Sequence, residues 1–198
     1  KALKSIEELS EDEKKEKKVS EALVILTAVE KGDAVNSSVM ELVKNVKDKI
    51  TKMGIYVLDP FEECIKQLNF EKLERLTDFG EKRKYWEEFS GKVTPINNQL
   101  MRKSHCQCAV LDGGQAVDDG TASEIGYYAA LVEEGIISKP FGRIFALRTD
   151  LRLGENIGCS VNPQIEGYVY QTGGKISKSL DEWFESINLW YQPIKVKT

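Results

Sequence analysis

Histidine is nearly missing from this chain, with His105 the one example in 198 residues. A serine or cysteine nucleophile worked by a histidine base is therefore not expected, since any such site would have to be built around this one residue. Long apolar runs are missing too. The longest, Ala22 to Val29, is interrupted by Thr27 and falls far short of the ~20 residues that a bilayer-spanning helix needs. The first twenty residues are rich in lysine and glutamate and carry no apolar stretch of a secretory signal, which predicts a cytoplasmic protein with no membrane partner. There is no excess of positive charge. The 28 basic and 32 acidic residues leave a net charge of −4, so the electrostatic footprint of a nucleic-acid binder is absent and nucleic acid is not an expected partner. No phosphate-cradling glycine loop follows the first apolar segment, and Gly113-Gly114 lacks the lysine of a nucleotide-binding loop.

Cysteine is scarce: Cys64, Cys106, Cys108 and Cys159. Cys106 and Cys108 stand two apart in an apolar run, hence on one face of a strand, where they are too constrained to bridge each other. His105 would point to the opposite face, and no second cysteine pair stands at zinc spacing, so no metal site is expected. Reduced thiols in a core, in a reducing compartment, are the expectation.

The composition, 41% hydrophobic and 30% charged, suits a soluble domain with a core of its own. Residues 1–20 form a charged extension, with opposite charges at helical spacing between Glu11 and Lys18. Residues 21–198 then alternate strand and helix patterns. Ala22–Val29 and Ile55–Leu58 read as strands around a helix at 38–53, whose Val39, Leu42, Val43, Val46 and Ile50 share one face. Residues 62–95 read as a helical insertion of two short amphipathic helices, and 96–104 as another helix. Cys106–Leu111 is a third strand, Thr121–Glu134 a helix and Ile144–Leu147 a fourth strand. Gly167–Tyr170 reads as a short fifth strand, and Leu180–Trp190 as a terminal helix opened by Ser179. This order predicts a single α/β domain with a flavodoxin- or Rossmann-like open parallel sheet of about five strands, helices covering both faces.

Chemistry concentrates after the third strand, in Asp118-Asp119-Gly120-Thr121-Ala122-Ser123-Glu124-Ile125-Gly126-Tyr127. Two acidic residues and a glutamate stand where a strand hands over to a helix, and in open α/β sheets ligands bind at such carboxyl ends. Taken alone, Glu124 would read as a first-turn glutamate favoured by the helix dipole, and Asp118 as a loop or cap residue. Asp119 is the expected cap, with Gly120 allowing the close turn. Asp150 and Arg152, at the end of the fourth strand, read as a structural ion pair or as residues lining the site, and Tyr127, Tyr128, Trp183, Phe184 and Trp190 as core or interface aromatics.

This stretch, with Ala109-Val110-Leu111-Asp112-Gly113 before it, resembles the nucleoside 2-deoxyribosyltransferase family. So do Ala146-Leu147-Arg148-Thr149-Asp150-Leu151-Arg152, Val161-Asn162-Pro163-Gln164-Ile165-Glu166-Gly167-Tyr168 and Gly173-Gly174-Lys175-Ile176. The resemblance covers residues 21–190 in element order, with its motifs between 97 and 175. It implies an enzyme that moves 2-deoxyribose between nucleobases through a covalent ester, in nucleoside salvage, with no metal or organic cofactor. Glu124 matches the nucleophile and Asp118 the second acidic residue that contacts the sugar. Asn162 matches an asparagine that reaches the 5′-hydroxyl from a neighbouring subunit, which implies a homo-oligomer with shared active sites. A deoxynucleoside and a free nucleobase are the implied partners, with Asp119, Gly120, Thr27 and Phe61 as further substrate-side candidates.

Two positions depart from the family pattern. Asn97 stands where many members carry an aspartate that protonates the departing base; an amide can hold a base edge but cannot act as a general acid. Ile25 stands where a tyrosine orients the nucleophile. The alternatives are an N-glycosidase hydrolysing nucleosides or nucleoside monophosphates, and a non-catalytic nucleotide-sensing module on the same fold. Thr27 to Asn36 offers no arginine and two acidic residues, which argues against a monophosphate.

Overall fold

The computed structural model describes residues 23–27, 36–112, 117–137, 141–149 and 158–195. Five strands form one parallel sheet: β1 (Leu23–Thr27), β2 (Tyr56–Leu58), β3 (Cys106–Val110), β4 (Arg143–Leu147) and β5 (Lys175–Ser177), in the order β2-β1-β3-β4-β5. Seven described helices connect and follow them: α1 (Asn36–Lys52), α2 (Pro60–Ile65), α3 (Phe70–Arg75), α4 (Phe79–Lys103), α5 (Asp119–Glu133), α6 (Pro163–Gln171) and α7 (Leu180–Lys195). The expected single α/β domain with an open parallel sheet of five strands is the fold observed.

Strand alternation sorts the core into two layers. Leu26, Cys106, Cys108, Val110, Phe145 and Leu147 face α1 and α7, packing with Val46, Ile50, Trp183, Ile187 and Trp190. Ile25, Ala109, Ile144 and Ala146 face the other way, against Met101 of α4, Ile125, Tyr128 and Ala129 of α5, and Ile165 and Val169 of α6. Every residue of β3 is buried, as a central parallel strand covered on both faces requires. Cys106 and Cys108 do share one face, in the apolar layer beneath α7, and burial pushes the Cys106 thiol well above its ordinary range. Tyr128, Trp183, Phe184 and Trp190 are core residues; Tyr127 is half-buried and its hydroxyl accepts from Arg102 Nε at 3.0 Å.

Two expectations are corrected. The segment read as two short helices followed by a separate one at 96–104 is α2, α3 and one 25-residue helix, α4, which runs straight through Pro95. Proline removes the bond to the Gly91 carbonyl, but Gly91 and Pro95 are both exposed, so water can satisfy that carbonyl. Buried Tyr85 and Met101 anchor the helix on either side. Gly167–Tyr170 is not a strand: it belongs to α6, because Ile165 and Val169 bury one helical face at four-residue spacing, and β5 follows at Lys175.

The α6–β5 junction depends on a glycine. A Cβ on Gly174 would stand 1.8 Å from the Ile144 carbonyl oxygen of β4, a separation no side chain tolerates. Beside it, Thr172 Oγ1 accepts from Ile144 N and donates to Val169 O, so the chain enters β5 pressed against β4. Among the described residues no helix is long and apolar enough to cross a membrane.

Candidate active site

Sheet order fixes where a ligand can lodge. From β1 the chain moves outward to β2, then returns through α2, α3 and α4 to β3 on the other side of β1. Connections leaving β1 and β3 therefore diverge, and the crevice opens at the carboxyl ends of those strands. Thr27, in register with Ala109, closes β1 at this point; its side chain and residues 28–35 and 113–116 lie outside the described residues.

Helix α5 opens at the crevice, and its cap is Asp118, not Asp119 as expected. Asp118 Oδ2 accepts from Gly120 N at 3.0 Å and Thr121 N at 3.2 Å, while Asp119 is the first helical residue. A Cβ on Gly120 would come within 3.0 Å of that capping oxygen, so the glycine two residues after the aspartate gives the carboxylate room over the amides. The Asp-x-Gly-Thr part of the sequence motif is thus a capping device. Glu124 lies in the second turn, beyond Asp119, the acidic residue of the first turn. The dipole effect fades within one turn, so the reading of Glu124 as a terminal dipole partner does not hold.

Glu124 is half-buried and contacts a helix distant in sequence. Asn97 of α4 donates from Nδ2 to Glu124 Oε1 at 3.3 Å. Behind Asn97, Cys64 of α2 donates its thiol hydrogen to Asn97 Oδ1 at 2.9 Å. Helix α2 comes into reach because Asp59 caps it immediately after β2, accepting from Glu62 N at 3.2 Å, with Pro60 in its first turn. Three helices thus place a thiol, an amide and a carboxylate in line. Cys64 was read from sequence as one of four reduced thiols; no pattern around it announces the contact with Asn97, 33 residues away.

A polar strap joins the ends of β3 and β4. Asp112 accepts from Thr149 N at 2.9 Å and Thr149 Oγ1 at 2.6 Å, and the buried Arg148 donates to the Leu111 carbonyl. Arg148 Nη1 lies 4.0 Å from Asp112 Oδ1. This fixes the point where β3 releases the chain toward Asp118. Asp150 and Arg152, read from the sequence as an ion pair or as residues lining the site, lie outside the described residues.

The remaining candidates are distributed as follows. Asn162 caps α6, its Oδ1 accepting from Gln164 N at 2.9 Å ahead of Pro163. Helices α5 and α6 pack together, with Tyr168 against Gly126. Phe61 is half-buried in α2, just beyond the carboxyl end of β2. Among the described residues no three acidic, histidine or cysteine side chains cluster as a metal site.

The strand order 2-1-3-4-5 defines a doubly wound α/β protein, and a half-buried carboxylate held by an amide beside its switch point is a group that can attack an electrophilic carbon. The family model of nucleoside 2-deoxyribosyltransferases matches residues 32–164, about two thirds of the chain, and the protein belongs to that family. The match leaves out Gly173–Ile176, so it is narrower than the span of the sequence resemblance. Among solved structures, a 2-deoxyribosyltransferase of the psychrotolerant bacterium Bacillus psychrosaccharolyticus shares the fold at a TM-score of 0.54 and 13% identity. That match covers 83% of this chain and 89% of the other. A 2-desoxiribosyltransferase from Leishmania mexicana matches at a TM-score of 0.51 and 17% identity, over 85% of this chain and 97% of its own. No curated protein sequence matches significantly.

Proposed function

We propose that this protein transfers 2-deoxyribose between nucleobases by double displacement, with Glu124 as the nucleophile. The observation that carries the reading is the placement of Glu124: half-buried, past the first turn of α5, with Asn97 donating to one of its oxygens. In the first step a Glu124 oxygen bonds to C1′ as the N-glycosidic bond breaks, and the base leaves with the bonding pair and takes a proton from water. In the second, a nitrogen of the incoming base displaces the glutamate, loses its proton, and restores the original configuration. Asn97 has no titrating proton to give, which is why the proton is assigned to solvent. Asp118 has a second task besides its cap: its charge at the mouth of the crevice favours the positive charge that develops on the sugar ring. Thr27, Phe61, Asp119 and Gly120 border the crevice on the substrate side. Asn162, set at the start of α6, serves the site of an adjoining copy in a cytoplasmic homo-oligomer that works in nucleoside salvage.

Incubation of the purified protein with deoxyinosine or thymidine, with and without adenine, tests this by chromatography. Deoxyadenosine formed only with adenine supports exchange, and Glu124→Ala is expected to abolish it without unfolding the protein. Free base and deoxyribose without exchange would make the enzyme a hydrolase. Turnover that survives Glu124→Ala would refute the assignment of the nucleophile.

A further inference from the structure

The chain of contacts from Cys64 through Asn97 to Glu124 carries a role that neither the family nor the motif assigns. An amide can face a neighbour with either its oxygen or its nitrogen, and only one choice suits a carboxylate. Turned the other way, Asn97 would present its oxygen to Glu124 Oε1, lone pair against lone pair. Here the thiol of Cys64 donates to Oδ1 at 2.9 Å, which leaves Nδ2 directed at Glu124 at 3.3 Å. Two contacts on opposite ends of one amide agree on its orientation. Helix α2 packs against α4 and α4 against α5, so the three side chains ride on mutually braced elements.

We propose that Asn97 is a positioning residue that aims Glu124 at the sugar carbon, and that Cys64, donating to Oδ1, braces the far end of the Asn97 amide. The proposal rests on Glu124 being the nucleophile. An N–H donor on one carboxylate oxygen restricts rotation about the last side-chain bond, and orientation of this kind changes the rate of attack more than the affinity for substrate. Asn97→Ala should therefore lower kcat about 10- to 100-fold, the range expected for a hydrogen bond to a charged group. KM should move by less than about threefold. Cys64→Ala should lower kcat several-fold, and Cys64→Ser, whose hydroxyl also donates, should recover most of that loss.

The experiment is steady-state base exchange together with mass-spectrometric trapping of the Glu124 ester, on variants whose thermal melts show them folded. Equal kcat for Cys64→Ala, Cys64→Ser and the parent would overturn the part assigned to Cys64. An active parent that Glu124→Ala silences but Asn97→Ala leaves at full rate would sink the positioning role and leave the function standing. A parent that exchanges nothing, or Glu124→Ala that retains turnover, would overturn both.

Discussion

Asp118 is assigned two tasks that one pair of substitutions can separate. Its Oδ2 takes two of the orphan amide hydrogens that open α5, and its charge stands at the mouth of the crevice. Asp118→Ala removes both. Loss of an N-cap costs about 1 kcal/mol, within a range of roughly 0.5–2. The capped helix contributes six buried residues, Thr121, Ile125, Tyr128, Ala129, Leu131 and Val132, so fraying of its first turn is coupled to the core. For a domain of this size that cost corresponds to a drop in Tm of about 2–4 °C. Asp118→Asn keeps an acceptor oxygen on the same atom and ranks with aspartate as a cap; it loses the charge–dipole part, about 0.3–1 kcal/mol at an exposed site. A melt followed by circular dichroism should therefore place Asp118→Asn near the parent and Asp118→Ala below it. Activity should order differently, with both variants well below the parent, because in the proposed mechanism the developing charge on the sugar responds to the carboxylate and not to the cap. If Asp118→Asn retains full kcat, Asp118 is a cap alone. If Asp118→Ala melts with the parent, the capping argument is wrong.

Two further substitutions probe the frame around the site. Gly174→Ala would drive a methyl group to within 1.8 Å of the Ile144 carbonyl, so β5 must move away from β4; a loss of at least about 1–3 kcal/mol is expected in urea unfolding. An unchanged midpoint would mean that the junction yields more easily than its geometry implies. His105, whose ring lies tilted against Phe141 with centroids 4.8 Å apart, is held below its ordinary pKa of 6.5 by burial. The unfolded chain then takes up a proton first, so stability falls as pH drops below 6.5 toward the folded pKa, and is unaffected above it. Tm should fall more steeply for the parent than for His105→Gln between pH about 7.5 and about 5.5; parallel slopes would remove His105 from the acid sensitivity.

Much of the molecule was legible along the chain. Apolar runs such as Leu23–Thr27 and Cys106–Val110, separated by helical patterns, determined a parallel sheet covered on both faces, because burial on two sides demands side chains that are apolar on two sides. The spacing of Asp118, Gly120, Thr121 and Glu124 placed a carboxylate at a strand's carboxyl end, since capping and handover from strand to helix are local events decided within a few residues. Local signals also misled. Gly167–Tyr170 has strand-like residues, yet Ile165 and Val169 had a core to reach four residues apart, and tertiary burial outweighed propensity. The boundary read between residues 95 and 96 falls inside α4, where exposed Pro95 leaves the Gly91 carbonyl to water. What only the tertiary structure decided is the set of neighbours. Which residues strap β3 to β4, and the meeting of Glu124 with Asn97 and Asn97 with Cys64, depend on strand order and on how each helix is turned about its axis. Contacts across 27 and 33 residues leave no periodic trace, because nothing in the intervening chain needs to change for them to form.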